Sequence, residues 1–118
     1  MDQPAIIELD SLMANLSGDK TILAELIDLF IDTSPAMLAD IRSEFNAGKA
    51  VAMGKAAHKL KGSATNFGAR QVVDLTYELE NMGGENRMAG ADRLIEQLSE
   101  RLAEVTRALL TAKGDLTA

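Results

Sequence analysis

The sequence predicts an all-α fold: an up-down antiparallel four-helix bundle with a short additional helix at its N-terminus. Apolar residues recur at spacings of three and four along most of the chain, and no segment alternates with a period of two for long enough to form a strand. Of the 118 residues, 47% are hydrophobic but only 3% aromatic, so the core has to be built from aliphatic residues, most of which favour helices. This length fits one domain, and we expect residues 1–118 to form it without a linker or a repeat.

The first two helices are predicted to end at glycines. Residues 6–19 form a short amphipathic pattern that stops at Gly18. A much longer apolar register follows, with Asp19 as its N-cap and Gly48 as its stop. A serine followed by Pro35 could divide this segment into two helices or bend a single one. We favour one bent helix, because the apolar register continues across the proline.

Three further helices follow at short intervals. The third is predicted over residues 49–67 and ends at Gly68. The fourth covers residues 69–82 and ends at a pair of glycines, and the fifth covers about residues 87–112. Connections of two to five residues between long helices make neighbouring helices antiparallel.

Composition and charge exclude several functional classes. The formal net charge of −6 argues against nucleic acid as the main partner. No run of about 18 apolar residues is present, so we expect no membrane span, and the first residues lack the basic and apolar regions of a signal peptide. One histidine and no cysteine cannot supply a usual zinc site, so we expect no bound metal. The lack of cysteine suits a reducing compartment, and we expect a monomer in the cytoplasm.

The single histidine, His58, lies in the most basic segment of this acidic chain. Between Phe45 and Val73 the sequence has no Asp or Glu. At about 100° per residue, His58 points to the side of the third helix opposite Leu60, and therefore away from the core. A lone exposed histidine is most often inert, so a functional role for His58 has to be inferred from its neighbours. The basic residues of the segment are Lys49, Lys55, Lys59, Lys61 and Arg70, and the predicted core stripe is Met53, Ala56 or Ala57, Leu60, Ala64 and Phe67.

Glycines flank His58 by one helical turn on each side. Gly54 precedes it by four residues, and Lys61 and Gly62 follow it by three and four. Glycine inside a helix costs about 0.5–1 kcal/mol relative to alanine. We therefore interpret the two glycines as a clearance, meaning space kept free above His58 for a large partner. We interpret Lys61 as a cation that attracts an anionic group to His58. Taken singly, the lysines could only solubilise the surface, Gly62 could mark a close helix contact and Gly54 a weak first turn, but these interpretations leave the combination unexplained.

The segment AHKLKGSATNFGA, residues 57–69, resembles the signature of histidine-containing phosphotransfer (HPt) domains of multistep phosphorelays. That signature reads Ala-His-x-Leu-Lys-Gly-Ser, then small residues, then an apolar residue followed by Gly-Ala, and the resemblance extends over the whole chain. It implies the same five-helix plan and a phosphocarrier, not an enzyme, which bears a phosphoryl group on Nε2 of His58 between aspartyl-phosphate receiver domains. By the same resemblance, Lys61 would steady the phosphoryl group and Gly62 would keep the approach open. Lys55, Lys59 and Thr65 would belong to the surrounding surface that stabilises phosphate or docks the partner.

Residue 80, 22 positions after His58, departs from many phosphorelay members. Several of them carry glutamine there, whereas Glu80 resembles the phosphotransfer domain of chemotaxis-type kinases, in which a glutamate pairs with the histidine. Such a contact would fix the tautomer of His58 and leave Nε2 unprotonated. From the residues alone, Glu80 could equally be an exposed glutamate on a helix edge. The phosphoryl donor therefore stays open between a receiver domain and a chemotaxis-type kinase core.

The chain has no G-x-x-x-x-G-K-[ST] nucleotide loop and no evident carboxylate cluster for Mg²⁺. It should therefore not act on ATP by itself and should need no cofactor. We expect a sensor histidine kinase and response-regulator receiver domains as partners, with Mg²⁺ bound to the receiver. The alternative is a helical adaptor without chemistry. The sequence leaves open the pathway and whether the chain is free-standing or a domain of a larger kinase.

Overall fold

The structure, a computed structural model, describes residues 5–117 of the chain and contains five α-helices in that range. The predicted domain includes residues 1–4 and 118, which lie outside the described residues. Residues 1–4 also begin the N-terminal segment in which we expect no signal peptide. No strand occurs within residues 5–117, and the predicted all-α class is confirmed. The helices are α1 (Asp10–Asn15), α2 (Lys20–Asn46), α3 (Ala50–Thr65), α4 (Arg70–Gly84) and α5 (Ala91–Thr117).

The four long helices form the predicted up-down bundle. α3 packs against α2 and α4, while α5 packs against the same two helices and makes no comparable contact with α3. α3 and α5 therefore occupy opposite corners of the bundle, and α1 packs against α2. Burying a Leu or Ile side chain contributes about 1.5–3 kcal/mol, and each long helix provides such residues, among them Ile27, Leu60, Leu79 and Leu98.

Helix ends follow local capping chemistry where the sequence supplies it. The side chain of Asp19 accepts a hydrogen bond from the backbone N–H of Ile22 at 3.1 Å and so caps α2, as predicted. At the other end, Gly48 adopts a left-handed φ of 71°. The N–H of Lys49 donates to the carbonyl of Glu44 at 3.0 Å, which completes the hydrogen-bonding pattern of a Schellman motif. Gly68 ends α3 in the same conformation, with φ of 60°.

Pro35 lies inside α2, which continues as one helix on both sides of it. The predicted continuity is confirmed. Phe30 and Ile41, on either side of the proline, are both buried in the core, while Pro35 itself is exposed. Burial of the same face on both sides keeps the two halves in one register, because a break would turn one half away from the bundle.

Four predicted helix boundaries are wrong. α1 begins at Asp10, not at residue 6, and α5 begins at Ala91 and runs to Thr117. The glycine pair does not end α4 but forms its last residues. The stop is Asn86, which has a left-handed φ of 54° and is followed by the bond from the Arg87 N–H to the Met82 carbonyl. Glycine was a poor guide here because Gly83 serves a helix contact and not a turn.

Candidate functional site

His58 lies on the exposed side of α3, as predicted. The core side of this helix consists of Met53, Ala57, Leu60 and Ala64, all fully buried, whereas Ala56 is only partly buried. This stripe fixes the rotation of α3 and leaves 64% of the His58 side chain accessible to solvent. The imidazole is therefore open to a partner and contributes little to the core.

Glu80, from the adjacent helix α4, contacts the His58 ring directly. Its Oε2 atom lies 2.5 Å from Nδ1 of His58. Leu79, the residue before it, is fully buried, and this neighbour sets α4 so that Glu80 stands at the rim between the two helices with 27% of its side chain exposed. The alternative of a solitary glutamate on a helix edge is therefore wrong.

Lys61 shares the same carboxylate. Its Nζ atom lies 2.5 Å from the second oxygen of Glu80, Oε1, and 5.2 Å from the ring centroid of Tyr77. The Lys61 side chain is only 24% exposed. Glu80 thus bridges the imidazole of His58 and the ammonium group of Lys61. The basic segment between Phe45 and Val73 has no acidic residue of its own, and the fold places this carboxylate from α4 next to it. Tyr77 was not identified as a site residue from the sequence. Its position about one helical turn before Glu80 on α4 was the one indication that the sequence offered.

The charge state of Glu80 determines the tautomer of His58. The hydrogen bond from Lys61 is the main cause that lowers the pKa of Glu80 below its ordinary value of 4.5; partial burial opposes this, and the hydrogen bond with His58 adds to it. An ionised carboxylate can only accept hydrogen bonds. Nδ1 of His58 therefore carries the ring proton and donates a hydrogen bond to Glu80, which leaves the lone pair of Nε2 free when the ring is neutral.

The two glycines beside His58 have different roles. At Gly62 an added Cβ atom would meet no atom of residues 5–117 within 4 Å apart from the neighbouring backbone of α3, so no contact with another described helix explains this glycine and the space above it is open. At Gly54 an added Cβ atom would lie 3.0 Å from the Cα atom of Gly83 and 3.2 Å from the carbonyl oxygen of Glu80. The predicted clearance at Gly54 is therefore wrong: this glycine lets α3 and α4 approach closely, which brings Glu80 within reach of His58.

The remaining predicted residues differ in how they relate to the cluster of His58, Glu80 and Lys61. Lys55 and Lys59 are exposed and line an open, largely apolar groove with His58. Val51 and Gly54 of α3 and the C-terminal end of α4, with Glu80 and Gly84, complete the lining. The hydroxyl of Thr65 donates to the carbonyl of Lys61 at 2.7 Å, so it is occupied within α3. Lys55 and Lys59 thus flank the histidine, whereas Thr65 belongs to the last turn of its helix.

Residues 5–117 contain no group of three or more His, Cys, Asp or Glu side chains arranged to hold a metal ion. None of the described helices combines the length and the apolar character needed to cross a membrane.

The comparison with family models and the comparison with solved structures agree with each other. The model of the Hpt domain family matches residues 25–108. Among solved structures, the chain is similar to the crystal structure of histidine-containing phosphotransfer protein B (HptB) from Pseudomonas aeruginosa PAO1, with a TM-score of 0.86 and 25% sequence identity. The similarity covers 96% of this chain and 98% of that chain. No curated protein matches the chain.

Proposed function

Because this chain belongs to the Hpt domain family, whose members are phosphocarriers of two-component phosphorelays, we propose that it carries its phosphoryl group on Nε2 of His58. The observation that carries this assignment is the contact between Nδ1 of His58 and Glu80. This contact occupies Nδ1 and would leave Nε2 as the nucleophile of a side chain that is 64% exposed.

The transfer step needs a lone pair on Nε2 and a phosphoryl group on an activated donor. We propose that Nε2 attacks the phosphorus atom of an aspartyl phosphate on a receiver domain. A nitrogen–phosphorus bond forms while the bond between phosphorus and the aspartate oxygen breaks, and the electron pair leaves with the aspartate carboxylate. The reverse reaction passes the group to a second receiver. Transfer of this kind depends mainly on positioning and charge stabilisation.

The pair Glu80 and Lys61 suits the charges that arise during this step. The ring becomes more positive as Nε2 bonds to phosphorus, and the Glu80 carboxylate at Nδ1 offsets that charge. The incoming phosphoryl group is anionic, and Lys61 supplies a cation one helical turn from His58. Because Lys61 is held by Glu80 before transfer, its ammonium group is already beside the histidine when the phosphoryl group arrives.

Dependence on partners follows from what the sequence lacks. The sequence has no G-x-x-x-x-G-K-[ST] nucleotide-binding loop, so the chain should not act on ATP by itself. We propose that a sensor histidine kinase and response-regulator receiver domains supply and remove the phosphoryl group, that Mg²⁺ is bound by the receiver, and that the chain acts as a monomer. Lys55, Lys59 and the open space at Gly62 would lie under the acidic phosphorylation site of the receiver.

A second donor has support from one specific contact. The His58–Glu80 pair is the arrangement that the resemblance to chemotaxis-type kinases implies. In that case a kinase core bound to ATP, and not a receiver, would phosphorylate His58.

The test is to incubate the chain with each type of donor. Receiver domains of the source organism, phosphorylated in the presence of Mg²⁺, should transfer acid-labile, base-stable phosphate to the wild-type chain. ATP alone should not label it. Labelling by a kinase core with ATP, in the absence of any receiver, would favour the second donor. Lack of phosphate with every donor would contradict the proposed function.

A further inference from the structure

We propose that Tyr77 is a positioning residue for phosphoryl transfer, because its ring holds the Lys61 ammonium group beside Glu80 and His58. This inference rests on the proposed function, in which Lys61 offsets the charge of the phosphoryl group. Tyr77 would join His58, Lys61 and Glu80 as a fourth side chain of the site. Its contact with Lys61 can be measured without phosphorylating the chain.

The Lys61 ammonium group contacts both an aromatic ring and a carboxylate of α4. The Nζ atom of Lys61 lies 5.2 Å from the centroid of the Tyr77 ring, within the distance of about 6 Å at which cation–π attraction is significant. The same atom lies 2.5 Å from Oε1 of Glu80. Tyr77 and Glu80 are three residues apart on α4 and so share one face of that helix. Lys61 reaches this face from α3.

The exposure of Tyr77 argues for a role outside the core. It is the only tyrosine in the chain, and 53% of it is exposed, whereas Phe30 and Phe67 are buried. A lysine side chain free in solvent samples many rotamers, and confining it costs entropy. Contacts with both the Tyr77 ring and the Glu80 carboxylate restrict the ammonium group to one place before any phosphate is present.

The direct test of the contact is the NMR spectrum of Lys61. Protons above an aromatic ring are shifted upfield by its ring current, so the ε-methylene protons of Lys61 should be shifted in the wild-type chain. The shift should persist in Tyr77→Phe and disappear in Tyr77→Leu. This measurement needs no phosphate donor, so it distinguishes failure of the inference from failure of the proposed function.

The functional test uses phosphoramidate, a small phosphoryl donor that requires no docking surface. Its phosphorus–nitrogen bond breaks and ammonia leaves as the bond to Nε2 of His58 forms. An exposed cation–π contact supports an effect of about two- to fivefold on the phosphorylation rate. We expect Tyr77→Leu to slow phosphorylation by this factor and Tyr77→Phe to restore it, because the ring and not the hydroxyl makes the contact. Leu110→Ala is the control, since Leu110 is equally exposed at 52% but lies on α5, which does not pack against α3.

The outcomes are separable. Identical Lys61 shifts in the wild type and Tyr77→Leu would overturn the inference, and so would an unchanged phosphorylation rate in Tyr77→Leu. Equal slowing in Tyr77→Leu and Leu110→Ala would also overturn it, because the effect would then be general. Thermal melting of each variant checks that the bundle is intact, and a Phe variant that behaves like the Leu variant would refute the role of the ring.

Discussion

Replacing Gly62 with glutamine should separate the stability of the bundle from its function. Apart from the neighbouring backbone of α3, no atom in the described part of the chain lies within 4 Å of a Cβ added at this exposed position. Glutamine is favoured over glycine in a helix by about 0.5–1 kcal/mol, so we expect the melting temperature to rise by about 2–5 °C for a chain of this size. Transfer between the chain and a receiver should nevertheless fall sharply. The new side chain would stand one turn from His58, and a displacement of about 1 Å can reduce a rate on the order of 100-fold.

Two further variants serve as controls for this prediction. Gly62→Ala should gain similar stability and keep transfer, because a methyl group barely enters the clearance. Gly54→Ala makes the same chemical change on the other side of His58, where the new Cβ would press on the backbone of α4. Overpacking of this kind costs about 1–3 kcal/mol, so its melting temperature should fall.

The assay measures melting temperature and the rate of transfer from a phosphorylated receiver on the same samples. A Gly62→Gln protein that is stable and transfers like the wild type would refute the clearance at Gly62. A Gly62→Gln protein that is less stable than the wild type would show that the position is not open.

Three other substitutions give distinct expectations. His58→Gln should leave the circular dichroism spectrum unchanged, because the side chain is exposed, and should accept no phosphate; phosphate on the variant would refute the assignment. Lys61→Ala should slow transfer or shorten the lifetime of phosphohistidine while changing the unfolding free energy by only about 0–1 kcal/mol, and unchanged kinetics would return Lys61 to a solubilising role. Glu80→Gln should lower stability at neutral pH, measured by urea unfolding, and the difference should vanish in acid. The pKa of Glu80 is lowered in the folded chain, so its stabilisation is complete above the ordinary carboxyl pKa and is lost as the pH falls through the lowered value; a difference independent of pH would contradict this.

The sequence predicted the helices well because their apolar spacing is a property of each helix alone. The same spacing placed His58 on the exposed side of α3 through its relation to Leu60. Asp19, Gly48 and Gly68 marked helix ends because their capping bonds are local to the chain. Gly83 misled the prediction, since a missing side chain serves a close helix contact as well as a turn.

The composition of the site was predictable to a smaller extent. The motif around His58 named the acceptor, but the bridge through Glu80 depends on how far α4 is shifted along α3. That register is set by Gly54 and Gly83 meeting across the interface, which the periodicity of either helix does not encode. The position of Lys61 between Glu80 and Tyr77 follows from the same register.

The position of phosphate on the His58 ring tests the central claim most directly. After phosphorylation by a receiver, ¹⁵N-edited NMR of the imidazole distinguishes a phosphoryl group on Nε2 from one on Nδ1. The contact of Nδ1 with Glu80 predicts a single species phosphorylated on Nε2, with the proton retained at Nδ1. Phosphate on Nδ1, or on any residue other than His58, would contradict the account.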